Sequence, residues 1–510
     1  MKVLLCFNAS IMGAIDGREG KIRAGMTKGQ LGGKLAGLSL PRQIVSIALW
    51  PLLEQVMSFI GATTSLYLAT HMDTPDEITK QIAAGIGVTG YIMWLGFLMQ
   101  GAVGMGATAI VSRMTGARKF SEANYAVNQS IVLGVIAGFL SALLMYFSSD
   151  FLVTHVLKLS NYANEVAILY MNTSCWVAIV SGIVFAVNAA LRGAGDTRTP
   201  FYIMLLVDGL TVVFSILFVY GFDWGIRGLA LGVIGGMAVA ASVLLCILIH
   251  RYRKTRRLMR EQQCSTLDEY CARQSSTYIH PLYLDPASLK PDFGEMYRII
   301  VIGFPQAIEV GGIWLIQMYV LRIISSLGDA AVGAHTIAIR IESMSFLPGF
   351  AIGMAGATLI GQYLGTGSAR MALETVRRCS HYAMLFMGSM GIIFCLFPTF
   401  FVQILAANSQ ELIDATVPLL HLFLILEPFY AGMLIIKMCL RGAGDTRRMM
   451  IVSYTCMGFF RFVLLFIWHA FWPETLTLPR IWSLFIVDLI VQYIILRKML
   501  YDLKWARIHV

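Results

Sequence analysis

Long apolar runs, broken by short polar stretches, dominate the chain. A helix needs about 20 mostly apolar residues to cross the hydrocarbon of a bilayer. By that measure twelve segments qualify, with cores at 43–70, 83–112, 123–147, 163–190, 200–222, 227–250, 298–325, 331–363, 376–402, 411–439, 449–472 and 480–500. Several are longer than a crossing requires, which predicts tilt or extension beyond the membrane. The expected fold class is therefore an all-α, multi-pass membrane protein.

Charge tests the count. With the N-terminus in the cytoplasm, the outer loops hold only Lys80, Lys158, Arg227 and Arg480, whereas the inner loops and tails hold thirty-one basic residues. Arg322, Arg340, Lys437 and Arg461 fall inside spans. This asymmetry matches the positive-inside rule, and one missed helix would invert every later loop. Both termini are expected in the cytoplasm, with the chain in the plasma (inner) membrane. Composition agrees: 57% of the 510 residues are hydrophobic and 13% charged, too few charges to cover a soluble surface. The net charge of +10 is absorbed by the inner loops, so no nucleic-acid partner is expected. Nine cysteines are scattered, and the spacing of Cys264 and Cys271 in a basic loop matches no trusted metal motif. Neither disulfide nor metal site is expected. No phosphate loop of the GxxxxGK[ST] type and no HExxH is present, the loops are mostly short, and no selectivity filter is visible. Enzyme and channel readings are set aside.

The octapeptide LRGAGDTR occurs at 191–198 and again at 440–447, 249 residues apart. The same offset pairs GMGATAIVSRMTG at 104–116 with GMAGATLIGQYLG at 353–365. A shared offset at separate sites marks a duplicated unit. Six helices per unit keep both copies in one orientation, so the halves are parallel repeats, which place their substrate site between the lobes near the bilayer midplane. The expected organisation is a cytoplasmic tail over 1–42, a first lobe over 43–250, a cytoplasmic linker over 251–297, and a second lobe with a short tail over 298–510. The linker opens on HRYRKTRRLMR, read as topology retention and attraction to anionic lipid. In each octapeptide the glycines are expected to turn the chain with positive φ, the aspartate to cap the next helix, and the arginine to meet lipid phosphate or the preceding helix end.

These motifs, with GFPQAIE at 303–309, the block LGDAAVGAHTIAIRIESMSFLPGFAIGMAGATLIGQYLGTG at 327–367, EPF at 427–429 and the closing LKW at 503–505, resemble the multidrug and toxic compound extrusion (MATE) family over about 40–505. The resemblance implies twelve helices in two lobes forming a V. It also implies export of amphipathic, often cationic compounds in exchange for Na⁺ or H⁺. Two departures stand out. Many relatives carry an aspartate about fifteen residues after the helix-one proline, where this chain has Leu66 beside Ser65. Some place a glutamate about eight residues after the helix-seven proline, where this chain has Ile313, with Glu309 one turn earlier.

An ionisable residue inside a span is costly, roughly 2.5–3.5 kcal/mol on insertion scales, and marks a functional candidate. Glu54 follows Pro51 by three positions and Glu309 follows Pro305 by four, near-equivalent places in the two halves. A proline frees backbone carbonyls that, with a carboxylate, could hold a cation. Asp208, Glu342 and Glu427 complete the candidates for cation coupling, whereas Asp488 reads as packing. For the substrate cavity the candidates are the polar Gln55, Gln100, Asn188, Gln306 and Gln317, and the adaptable or aromatic Met57, Trp94, Trp314 and Met344. His335 reads as a satisfied interfacial residue. The expected function is secondary active efflux of a small, amphipathic, cationic molecule by alternating access, without a cofactor, by a monomer in the bilayer. The alternative is a flippase of the same superfamily for a lipid-linked sugar or other lipid; for the lipid-linked sugar the cavity should be strongly basic.

Overall fold

The computed structural model describes residues 31–32, 35–70, 76–151, 154, 161–273, 282–405 and 409–508. The expectations for the first thirty residues lie outside them, as do the side chains of Trp94, Ser65 and Leu66. The described residues are helical throughout, without strands. In chain order the helices are α1 Leu40–Thr70, α2 Asp76–Gly116, α3 Phe120–Asp150, α4 Asn161–Ser174, α5 Val177–Gly193, α6 Arg198–Gly221 and α7 Gly225–Glu261, then the short α8 Leu267–Arg273. There follow α9 Phe293–Ser325, α10 Asp329–Gly365, α11 Ala369–Leu396, α12 Pro398–Leu405, α13 Gln410–Gly442, α14 Thr446–Phe471 and α15 Leu478–Tyr501. Among the described residues, nine helices are long and apolar enough to cross a membrane, or ten if the bent pair α4–α5 is one crossing. The chain is a multi-pass α-helical membrane protein.

Three departures from the sequence reading have local causes. The expected span over 163–190 bends by 53° between α4 and α5. There Thr173 bonds back to the Leu169 carbonyl (2.8 Å), side-chain competition of the kind that bends helices, and Ser149 of α3 donates to the Asn172 side chain (2.7 Å). The expected span over 376–402 is interrupted at Phe397 because Pro398 disfavours helix in the residue before it. Helix α7 runs through the basic run to Glu261, 37 residues or about 55 Å. The segment read as the start of the linker is thus a helical extension beyond a hydrocarbon layer of about 30 Å.

The remainder of the linker is strapped to α3. Asn124 accepts from the Tyr283 N–H (2.9 Å) and Asn128 from Asp285 (2.9 Å). Gln129 accepts from Asp292 (3.0 Å) and donates to the carbonyls of Ser288 and Lys290 (both 2.8 Å). Asp292 then caps α9 through Gly294 (2.9 Å) and accepts from the Tyr125 hydroxyl (2.8 Å), and these donors hold its carboxyl below the usual range.

Two large apolar clusters organise the bundle. One is built from α2, α3, α5, α6 and α7, and it takes in the first turns of α9 through Met296, Ile299 and Ile302. The other is built from α10 to α15 with the end of α9, and it takes in the first turns of α1 through Leu40, Ile44, Ile47 and Ala48. Helices α1 and α9 therefore each begin in one cluster and continue past a proline, Pro51 or Pro305. Lipid tails are as apolar as leucine, so such contacts rest on close packing of small residues. A Cβ on Gly303 would run into the Ala102 carbonyl, and one on Gly106 into that of Ile299.

Gly303→Val is expected to lower stability by roughly 1–3 kcal/mol through overpacking. Gly101→Val, where a Cβ meets nothing within 4 Å, should leave it unchanged. Thermal unfolding of the purified protein compares the two.

Candidate functional site

The buried carboxylates of α1 and α9 meet the repeated octapeptide. Arg192 donates to Glu54 at 2.5 Å, and Arg441 pairs with Glu309 at 2.7 Å. The arginines therefore do not serve lipid phosphate or their own helix ends: each bridges from one copy of the repeat to the carboxylate behind a proline. The glycines divide their work. Gly195 (φ +89°) and Gly444 (φ +93°) occupy the left-handed region. Gly193 and Gly442 are helical, and their missing side chains allow contact with the backbone at Thr108 and Ala357. Asp196 accepts from the Thr199 N–H (3.2 Å) as expected of a cap, but Asp445 pairs with Arg448 and bonds no helix N–H.

Around Glu309 the second half builds a chain of polar contacts. Lys437 lies 3.3 Å from Glu309 and donates to Ser453 (2.5 Å) and Gln492 (3.2 Å), and Ser453 in turn donates to Glu309. Gln492 donates to Asp488 (2.8 Å), which also accepts from Arg461 (2.6 Å). Asp488, read as a packing residue, is a fully buried ion-pair partner.

The other three carboxylates have no ion pair among the described residues. Asp208 on α6 accepts from Ser58 on α1 (3.0 Å), a partner that no neighbour along α6 revealed. Glu427 is fully buried and accepts from Ser345 (2.8 Å) with one oxygen, while the other has no partner. Glu342 lines a cavity of about 340 Å³ between α9, α10, α13, α14 and α15, together with Gln317, Lys437, Arg461 and Gln492. Arg340, two residues away, is exposed and does not pair with it. This cavity lies within the second half, whereas a position between the lobes was expected.

The remaining cavity candidates divide. Gln100 spends its amide on Ala178 (2.9 Å) and accepts from Ser181 (2.9 Å), a bond between helices and not an open contact. Asn188, Gln306 and Trp314 each keep a buried polar atom without a partner. Gln55 and Met57 are half-buried on α1, and Met344 is exposed. His335 is buried but not satisfied, because its Nδ1 has no partner. Sequence reasoning missed the two arginines, although the octapeptide that carries them was already singled out. It saw Lys437 and Arg461 only as charges inside spans. Near the octapeptide the halves interlock: Thr358 donates to the Arg192 carbonyl (3.1 Å) and Gln362 to that of Gly193 (3.0 Å), while Gly116 and Gly365 bring α2 and α10 into backbone contact.

Removing one partner of a buried pair strands the other charge, at about 3–5 kcal/mol. Arg441→Gln is expected to destabilise on that scale, and Glu309→Gln in the same chain should recover much of the loss. A double-mutant cycle by thermal unfolding checks the coupling.

The family model described as MatE matches residues 52–217 and 305–467. Among curated relatives, the chain is 24% identical over 478 residues to a probable multidrug resistance protein NorM of Thermotoga maritima, covering 91% of this chain and 93% of that one. It is 21% identical over 417 residues to the multidrug resistance protein MdtK of Yersinia pseudotuberculosis, covering 81% and 84%. Among solved structures it resembles a MOP superfamily transporter from Pyrococcus furiosus, with TM-score 0.74, 18% identity and 94% and 99% coverage. The Vibrio cholerae MATE transporter VcmN matches with TM-score 0.74, 17% identity and 91% and 96% coverage. The two matched stretches fall one in each half and span the paired carboxylates and both octapeptides: the chain belongs to the MATE family and is a secondary active efflux transporter, not an enzyme.

Proposed function

We propose that this transporter exports small amphipathic compounds bearing positive charge in exchange for inward H⁺, and that Asp208, Glu342 and Glu427 carry the coupling. The observation that carries the reading is the division of the buried carboxylates. Glu54, Glu309 and Asp488 are each paired with arginine, whereas the other three form no ion pair among the described residues. A cation gains little from a carboxylate that already holds a guanidinium. It gains more from a lone carboxylate in a low-dielectric bundle. H⁺ is favoured over Na⁺ because a hard metal cation wants several oxygen ligands around a carboxylate. Glu427 and Asp208 each have one serine hydroxyl beside them, a poor shell for a metal ion.

In this reading the chain has twelve crossings in two lobes of six, arranged as a V. It acts as a monomer in the plasma membrane with both termini in the cytoplasm. The interlock of α2 and α10 at the octapeptide then closes the cytoplasmic side, and the lobes open outward. Ion and drug exchange because each favours a different state, and neither shifts the balance except through unequal affinity for the two. A lipid-linked sugar flippase would want an uncompensated basic cavity. Here three basic side chains in the second half (Lys437, Arg441 and Arg461) face four carboxylates.

Purified protein in liposomes, loaded with ethidium, should show efflux driven by an inward proton gradient and not by an inward Na⁺ gradient. Asp208→Asn and Glu427→Gln should slow it by roughly 5–150-fold, the range of a typical coupling free energy. Efflux driven by Na⁺ alone would overturn the choice of ion. Unchanged efflux in Asp208→Asn, Glu342→Gln and Glu427→Gln alike would overturn the assignment of the coupling residues.

A further inference from the structure

The internal repeat places a lysine in the second half where the first half has an asparagine. At the 249-residue offset of the octapeptides, Lys437 corresponds to Asn188, and each stands one turn before the octapeptide arginine. Neutralising a carboxylate does not explain the lysine. Arg441 already pairs with Glu309 at 2.7 Å, as Arg192 does with Glu54 at 2.5 Å, and the first half keeps its pair with an asparagine alongside. Lys437 is nonetheless buried, at 6% exposed. An ammonium is a compact, strongly hydrated charge, costly to bring into a bundle. A second cation on one carboxylate needs a reason of its own.

The surroundings supply it. A lysine ammonium has three donors and no acceptor, and three oxygens from three helices meet this one. They are a carboxylate oxygen of Glu309 on α9 (3.3 Å), the Ser453 hydroxyl on α14 (2.5 Å) and the Gln492 amide oxygen on α15 (3.2 Å). Each is oriented by a further contact. Ser453 spends its proton on Glu309, and Glu309 is held by Arg441. Gln492 donates to Asp488 (2.8 Å), which turns its amide oxygen toward the ammonium, and Asp488 is fixed by Arg461 (2.6 Å). Carboxylate, hydroxyl and amide oxygens are the donors that hard cations take. The first half does not repeat them at the matching positions. Ser453 corresponds to Met204, and Asn188 keeps a buried side-chain oxygen without a partner. Cage and ammonium therefore occur together.

We infer that Glu309, Ser453 and Gln492 form a site for a monovalent, ammonium-type cation, and that the Lys437 side chain is its tethered occupant. The second half thus carries its own cation at this point and takes none from solution. This stands apart from the coupling ion and coupling acids proposed above, because Glu309 is not among them. Lys437 and Gln492 also line the cavity of about 340 Å³, so a shortened lysine would leave the cage open to a solute.

The test is chemical rescue, read as thermal unfolding of the purified protein without gradient or drug. Lys437→Ala empties the cage and leaves Glu309 with Arg441. The probe is ethylammonium chloride, and the control is an equal concentration of tetramethylammonium chloride, which has the same charge and no N–H. Ethylammonium is expected to raise the midpoint of Lys437→Ala by roughly 2–4 °C, saturably, as for a ligand bound only by the folded state. Tetramethylammonium should not, and the wild type, whose cage is filled, should respond to neither. Adding Ser453→Ala to Lys437→Ala removes one cage oxygen and should abolish the response. Lys437→Asn, with methylammonium to suit its smaller gap, carries the test where Lys437→Ala fails to fold, because asparagine is the residue the first half keeps beside its own pair. A wild type that responds as strongly as the variants, no difference between the two salts in either variant, or a response that survives Ser453→Ala would overturn the inference. So would failure to recover either variant in alkylammonium buffer. No readout here involves efflux, so the cage and the transport mechanism stand or fall separately.

Discussion

The interaction on which the rest of the structure depends is the neutralisation of charge inside a bundle that has little water to offer. An aspartate or arginine at a helix centre costs roughly 2.5–3.5 kcal/mol to insert, and a stranded partner of a buried pair costs about 3–5 kcal/mol. The chain solves this twice with one device. A carboxylate one turn past a proline, Glu54 or Glu309, is met by the arginine of an identical octapeptide at 2.5 or 2.7 Å. The octapeptide also turns the backbone at Gly195 and Gly444 and presses helices together at Gly193 and Gly442. Turn, close approach and counter-charge sit in eight residues, so no part of the motif can drift without the others.

The same pairs tie together elements that belong to different parts of the bundle. Helix α1 starts in the cluster built from α10 to α15, and α9 starts in the cluster built from α2 to α7. Their prolines and carboxylates follow directly after those first turns. Arg192 thus joins α5 to a helix anchored in the other cluster, and its own carbonyl is held by Thr358 of α10. Cross-anchored helices, polar locks and glycine contacts place the strongest ties between the halves near the repeated motif. The strap of Asn124, Asn128 and Gln129 adds a second tie, because it fixes the approach to α9 against α3.

Much of this was legible in the sequence, for physical reasons. Spans declare themselves by length and apolarity, and duplication by LRGAGDTR itself. The equivalence of Glu54 and Glu309 could be read from their distance to Pro51 and Pro305. What could not be read was facing. Glu54 and Arg192 are 138 residues apart, and Ser58 and Asp208 are 150 apart. A run that is apolar nearly all round gives no stripe from which rotation can be deduced. For that reason Asp488 read as packing, and Gln100, spent between α2 and α5, read as open to a cavity. The break between α4 and α5 was missed because a hydroxyl, that of Thr173, bonds back to the helix there, without a proline to announce the bend.

The pairing pattern also decides which acids are free to do work. A guanidinium at 2.5–2.7 Å stabilises the charged carboxylate, so an ion arriving at this state has little to add. A ligand shifts a conformational balance only through unequal affinity for its two states. An acid whose counter-charge never leaves cannot supply that inequality unless the ion pair itself breaks. Glu427 and Asp208, each with a single serine donor, and Glu342, which faces the cavity without an ion pair among the described residues, are not held in this way. The doubled arginine–glutamate pairs are therefore the frame, and the unpaired carboxylates beside them are the parts whose charge state the frame leaves open.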